Sequence, residues 1–306
     1  MRYMLLHCTA GAEGLAAEDT AEQERTMRLW LEDTISRGVS LHGGRLEPPG
    51  SAATVRVRGG ELLVTDGPFA ETKEQIAGYD VIECTDLDEA IALASRLPVR
   101  FGSIEIRAFV DGDEALPRRP LQVAEWAAKM SREGADPRPD QTVPTNPTPE
   151  AEATRGKNYM LLICVGEAVE LTAEEAADSD RRMGDWLEDT VGRGINLHGG
   201  RLQPVSTATT VRAEAGRVLV TDGPFAETKE HIAGYDVIEC ADLDEAVEIA
   251  SRHPVARFGS VEVRPFIDRV QAMPRRPLPV AGWATAMATK ARTSGASWRA
   301  PATYVP

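Results

Sequence analysis

The chain carries one domain twice. Thr65-Asp66-Gly67-Pro68-Phe69-Ala70-Glu71-Thr72-Lys73-Glu74 returns letter for letter as Thr221-Asp222-Gly223-Pro224-Phe225-Ala226-Glu227-Thr228-Lys229-Glu230. Leu41-His42-Gly43-Gly44-Arg45-Leu46 returns as Leu197-His198-Gly199-Gly200-Arg201-Leu202, and the offset is 156 residues in both cases. Two copies of one unit constrain the fold more than any single motif, because each copy offers the other a matching surface. The pattern divides the chain into a first repeat over 1–130 with a C-terminal helix, a Pro/Thr/acidic linker over 131–157, a second repeat over 158–288 with its own C-terminal helix, and a tail over 289–306.

Within each repeat the hydrophobic period changes in a fixed order. An apolar run, Tyr3–Cys8 or Tyr159–Cys164, reads as a buried strand. Met27, Trp30, Leu31, Thr34 and Ile35 then fall at helical spacing, and Gly38 stands where a C-terminal cap belongs. A strand over Val39–Leu46 follows. Next come two short strands around Gly59-Gly60, a hairpin signal, and a strand over Ile76–Cys84. Asp86 with Glu89 three residues on marks the start of a helix that Pro98 ends. Ile104-Glu105-Ile106-Arg107 alternates as an amphipathic strand does. The order β-α-β-β-β-β-α-β predicts an α+β fold of two tandem ferredoxin-like repeats. Helices cover one face of each sheet and the other face needs a partner, so the repeats are expected to pair as an intrachain pseudo-twofold barrel.

The chain has 34 basic and 48 acidic residues, a formal charge of −14. That argues against nucleic acid or an anionic membrane as partner. No apolar run reaches membrane-spanning length, and the N-terminal run is too short for a secretory signal, so a cytoplasmic protein is expected. Cys8, Cys84, Cys164 and Cys240 are two positions used twice, each closing an apolar strand, and read as buried free thiols. No Cys-x-x-Cys, His-x-x-x-His or clustered carboxylates point to a metal, and no phosphate loop points to a nucleotide, so neither metal nor cofactor is expected.

Of the five histidines only His42 and His198 correspond between copies; His7, His231 and His253 face Ile163, Gln75 and Leu97 and read as incidental. A histidine on a strand, followed by two glycines that admit a close backbone or ligand, suits acid–base work or a structural bond to a carbonyl. Asp66 and Asp222 suit either a turn or a carboxylate that orients a histidine. His42 and Asp66 are read as lying on different strands of one small sheet, which makes contact between them possible. Arg45, Arg201, Glu71, Lys73, Glu227, Lys229, Tyr79 and Tyr235 are the candidate substrate binders. An inter-repeat ion-pair cluster is the alternative for the charged run.

Asp66-Gly67-Pro68-Phe69-Ala70-Glu71-Thr72-Lys73-Glu74, followed by Ile76-Ala77-Gly78-Tyr79-Asp80-Val81-Ile82-Glu83, resembles the signature of the DGPF branch of the YCII-related family. The resemblance implies a ferredoxin-like fold pairing into a dimeric α+β barrel. It also implies an enzymatic role for a histidine and an aspartate, carried here onto His42, Asp66, His198 and Asp222. Relatives include a dehydrochlorinase, and fold neighbours include muconolactone isomerase. The reading is a cofactor-independent lyase or isomerase acting on a small anionic or aromatic molecule. Because some relatives are fused to or encoded beside extracytoplasmic-type sigma factors, the alternatives are a ligand-binding or regulatory module with a sigma factor as partner, and a purely architectural Asp-Gly-Pro-Phe turn.

Overall fold

A computed structural model describes residues 1–9, 17–98, 102–110, 156–166, 169–214 and 217–267. The expected C-terminal helices at 124–130 and 281–287, most of the linker and the 289–306 tail lie outside the described residues. The first repeat runs β1 (Arg2–Thr9), α1 (Ala17–Ser36), β2 (Ser40–Arg45), β3 (Ala53–Arg58), β4 (Glu61–Asp66), β5 (Gln75–Glu83), α2 (Leu87–Ala94) and β6 (Gly102–Ala108). The second runs β7 (Lys157–Gly166), α3 (Ala173–Gly192), β8 (Asn196–Arg201), β9 (Thr209–Glu214), β10 (Arg217–Asp222), β11 (Glu230–Cys240), α4 (Leu243–Arg252) and β12 (Ser260–Pro265).

The local signals account for the element ends. Val39 N–H reaches back to Thr34 O at 2.9 Å and Gly38 N–H to Ile35 O at 2.9 Å, which closes α1 in the two-bond C-terminal motif that needs a left-handed residue. Gly38 supplies it with φ 69°. Asp86 accepts from Glu89 N–H at 2.9 Å, while the Glu89 carboxylate takes Thr85 N–H at 2.9 Å, so the start of α2 is satisfied from both sides. Gly59 and Gly60 both have positive φ, as a two-residue hairpin turn requires.

The hairpins do not stay at home. The first sheet has the order β10-β9-β6-β1-β5-β2 and the second β4-β3-β12-β7-β11-β8, so each repeat's hairpin completes the other repeat's sheet. Val211 of β9 is fully buried in the helix-side core of the first repeat with Trp30, Ile82 and Leu93. Val55 of β3 is its counterpart beneath Trp186, Ile238 and Ile249 in the second. The other faces of the two sheets bury each other in one core that draws Met4, Leu6 and Tyr79 from one repeat and Met160, Leu162 and Tyr235 from the other. Bridges between Leu46 and Phe266 and between Phe109 and Leu202 join the sheets at their rims. The fold is the α+β class expected, two ferredoxin-like repeats paired as an intrachain dimeric α+β barrel. The single-sheet placement of His42 and Asp66 is corrected: the hairpin bearing Asp66 crosses to the opposite sheet.

The Asp-Gly-Pro-Phe turn is where each hairpin leaves its host sheet. Gly67 and Gly223 adopt φ 94° and 95°, and their N–H groups bond Ala52 O and Ala208 O, both at 2.8 Å. A Cβ at either position would meet open space, so strain is the only penalty. Gly67→Ala is expected to lower unfolding free energy by about 1–2 kcal/mol through the left-handed backbone alone. Denaturant titration checks this, and an unchanged midpoint would remove the conformational role.

Candidate active site between the two repeats

His42 reaches the interior because of a bulge. In β2 the register against β5 shifts between Ser40, opposite Ile82, and His42, opposite Val81. Val81 belongs to the inter-sheet core, so the extra residue Leu41 turns His42 inward with it. An unbroken register would have set His42 opposite Asp80, on the helix side. Strand β8 repeats the bulge and sets His198 opposite Val237.

The two histidines therefore meet. Their ring centroids lie 4.1 Å apart at 40°. Tyr79 Oη lies 3.4 Å from His42 Nδ1, and Tyr235 Oη lies 3.5 Å from both His42 Nε2 and His198 Nδ1. All four side chains are at most 2% exposed. Tyr79, His42, Tyr235 and His198 thus form a string of alternating phenols and imidazoles at the outer limit of hydrogen-bond length. A neutral imidazole has one N–H and one bare nitrogen, and a phenol donates once and accepts. Such a string can be oriented in two self-consistent directions, which differ by the passage of one proton along it. Two positive charges on rings this close and this buried would repel each other strongly.

The glycine that follows His198 is explained by Asp236. A Cβ on Gly199 would lie 2.2 Å from Asp236 Oδ1 and 2.6 Å from Tyr235 O. His7 Nε2 sits 2.9 Å from Asp80 Oδ2, a charge contact, and Asn196 Nδ2 donates to Asp236 Oδ1 at 3.0 Å. His7 thus lies against a buried carboxylate. His253 is also placed, accepting Val255 N–H at 3.3 Å beside Trp186.

Asp66 and Asp222 are not beside the histidines. Both are exposed on β4 and β10, the outer strands. Asp66 shares a sheet with His198 but is separated from it by the full width, about 24 Å at the usual strand spacing. The orienting role expected of these aspartates is corrected, and the phenols of Tyr79 and Tyr235 occupy the positions next to the imidazoles. Arg45, Glu71, Lys73, Glu227 and Lys229 are exposed and Arg201 is half-buried, all outside the buried cluster.

The rest of the repeated motif clamps the repeats together. Glu262 Oε2 accepts Phe69 N–H at 2.9 Å, and Arg264 holds the same carboxylate through Nε at 3.0 Å while donating to Ile76 O at 2.9 Å and Glu47 O at 3.1 Å. The counterpart Glu105 accepts Phe225 N–H at 3.1 Å and pairs with Arg107 at 3.1 Å. Glu230 binds Arg56 at 2.9 Å and Ser260 at 2.6 Å, and Glu74 binds Arg212 and Ser103 in the same way. The final glutamate of each charged run is thus an inter-repeat ion pair. Glu105, Arg107, Glu262 and Arg264 are at most 2% exposed, not the solvent-facing half of an amphipathic strand, because the exchanged turn covers and satisfies them. Sequence reasoning missed these four, although their persistence in both copies was the available signal.

The four cysteines are buried free thiols. Burial, helped by neighbouring carboxylates, pushes Cys84 up to about 11 and Cys240 up to about 12. Cys8 and Cys164 are raised well above the ordinary thiol value for the same reason. In mildly alkaline buffer the folded chain should leave an aromatic disulfide reagent unreacted and release all four thiols on denaturation. A fast-reacting thiol in the folded protein would contradict the burial.

Among the described residues no three His, Cys, Asp or Glu side chains converge on a point that could hold a metal ion, and no helix is long and apolar enough to cross a membrane. Uncharacterized protein R00369 of Rhizobium meliloti (strain 1021) is 51% identical over 68 residues, which is 22% of this chain and 55% of that protein. The chain thus spans about half the length of that relative. TA0507, whose crystal structure carries a provisional chlorite dismutase assignment, aligns with a TM-score of 0.35 and 10% identity over 87% of this chain and 94% of its own. That score adds nothing to the fold read from the sheets. The model of the YCII-related domain matches residues 1–111 and again 159–269, the two halves of the barrel that bring His42 and His198 together. The chain belongs to the YCII-related family, as a tandem pair within one polypeptide.

Proposed function

We propose that the chain is a cofactor-independent lyase or isomerase that moves a proton on a small anionic or aromatic molecule, with His42 and His198 as its acid–base pair. One observation carries this reading: two imidazoles in contact, linked through a phenol and buried in the core between the two sheets. One imidazole takes a C–H proton, the string of phenols and imidazoles passes it on, and the group at its other end returns a proton to another atom of the substrate or to its leaving group. Tyr79 and Tyr235 set the tautomers. Aromatic walls from Phe109 and Phe266 suit a flat substrate, and entry displaces the half-buried Phe69 or Phe225 packed on the same core. The exposed Arg45, Lys73 and Lys229 and the half-buried Arg201 attract an anion to the barrel, with the exposed Glu71 and Glu227 in the same repeated segments.

The test is solvent exchange. Small carboxylate-bearing lactones, enones and chlorinated ring compounds are incubated with the protein in D2O and followed by NMR. Deuterium should enter an acidic C–H position of at least one class with the native chain. Incorporation that survives in His42→Gln/His198→Gln, or none across the panel, would overturn the assignment.

A further inference from the structure

We propose that a second copy of this chain docks on β10, adding its own β10 antiparallel so that the first sheets of the two copies continue as one across a twofold axis. Strand β10 is the outer strand of that sheet, unpaired on its outer side among the described residues. Val218, Leu219 and Val220 are 48%, 42% and 46% exposed, so the strand presents apolar side chains on both faces. Such an edge attracts another strand.

Backbone parity limits the docking. Gly223 N–H bonds Ala208 O, which aligns the odd-numbered residues of β10 with β9 and turns the N–H and C=O groups of Val218 and Val220 outward. Two antiparallel copies can then pair Val218 with Val220 of the second copy and the reverse, with Leu219 facing its own counterpart on the axis. Arg217 then faces Thr221 of the second copy, and no like charges are opposed. The surface is self-complementary and the assembly closes.

Strand β4 is the same surface by internal symmetry, with Leu62, Leu63 and Val64 exposed to a similar degree. The charges separate the two. β4 carries Glu61 and Asp66, so self-pairing would gather two carboxylates from each copy along one short edge. β10 carries Arg217 and Asp222 and is neutral. Arg58, opposite Glu61 in the hairpin, is turned away to Ala256 O and Gly259 O at 2.8 and 2.9 Å and leaves that charge standing. A second copy is thus accepted at β10 and refused at β4.

Sedimentation velocity on the full chain over a concentration series tests this. The native chain should show monomer and dimer only. Arg217→Glu gives β10 the charges of β4 and should weaken the dimer by about tenfold or more. Glu61→Arg gives β4 the charges of β10 and should yield open chains of higher order, because each copy then has two accepting edges. Leu219→Lys should dissolve the dimer, and Leu63→Lys should leave it. All four positions are exposed, so circular dichroism should show an unchanged fold. A native chain that stays monomeric at every concentration, as expected if another strand of the same chain covers β10, overturns the proposal. So does a dimer lost as readily through Leu63→Lys as through Leu219→Lys.

Discussion

Arg264→Met will lower the unfolding free energy by about 3–5 kcal/mol, because it strands a buried carboxylate. Arg264 binds Glu262 through two nitrogens, at 3.0 and 2.9 Å, and also satisfies Ile76 O and Glu47 O across the repeat boundary. Without it Glu262 keeps only the Phe69 N–H, in a site 1% exposed. Burial already pushes the Glu262 carboxyl above the usual carboxylate range, against the pull of Arg264. In the variant the pull is gone and the shift grows. A carboxyl whose folded pKa is raised contributes most below its unfolded value, and that contribution is lost as pH rises through the folded one. The variant should therefore be less destabilised near pH 5 than at about pH 8. Adding Glu262→Gln should recover much of the loss, since no charge then remains buried. Urea titrations of the three proteins at both pH values decide the matter. A loss that is small, or equal at the two pH values, would mean that the pair is not the clamp described here.

His42→Gln alone should reduce the solvent-exchange rate by about a hundredfold to ten-thousandfold, and His198→Gln should match it. Residues that act as one string are not additive, so the double variant should be little worse than either single one. Tyr235→Phe should lower the rate as well, because the Tyr235 hydroxyl touches both imidazoles. A merely structural cluster predicts another pattern: stability falls with each polar group removed, and the pH dependence of exchange stays put. Measuring rate and denaturation midpoint on the same preparations separates the two. Roughly equal, independent contributions from His42 and His198 would argue for two separate sites instead of one shared one.

Much of the fold was legible from local pattern. Element order, the Asp86 cap, the Gly38 stop and the Gly59-Gly60 hairpin follow from residues near one another in the chain. The family signature was legible too. The site was legible only in part. His42 and His198 stood out as the repeated pair of histidines, but their partners did not. A β-bulge turns each of them inward, and alternation read along β2 cannot show a bulge that depends on pairing with β5. Asp66 looked like an orienter because sequence distance suggested a shared sheet.

What the sequence determined by itself was the unit: an alternating β/α order, written twice, with an apolar face on each sheet that the other copy could cover. Tertiary structure alone decided which strand each hairpin would join. Ile104-Glu105-Ile106-Arg107 and Val261-Glu262-Val263-Arg264 present the same alternation to an incoming edge, so periodicity cannot choose between them. The choice comes from burial. Crossing over places Val55 and Val211 in the opposite cores and brings Phe69 and Phe225 N–H groups onto the two buried glutamates. The same crossing carries Asp66 and Asp222 to the outer edges and leaves the centre of the barrel to two histidines and two tyrosines.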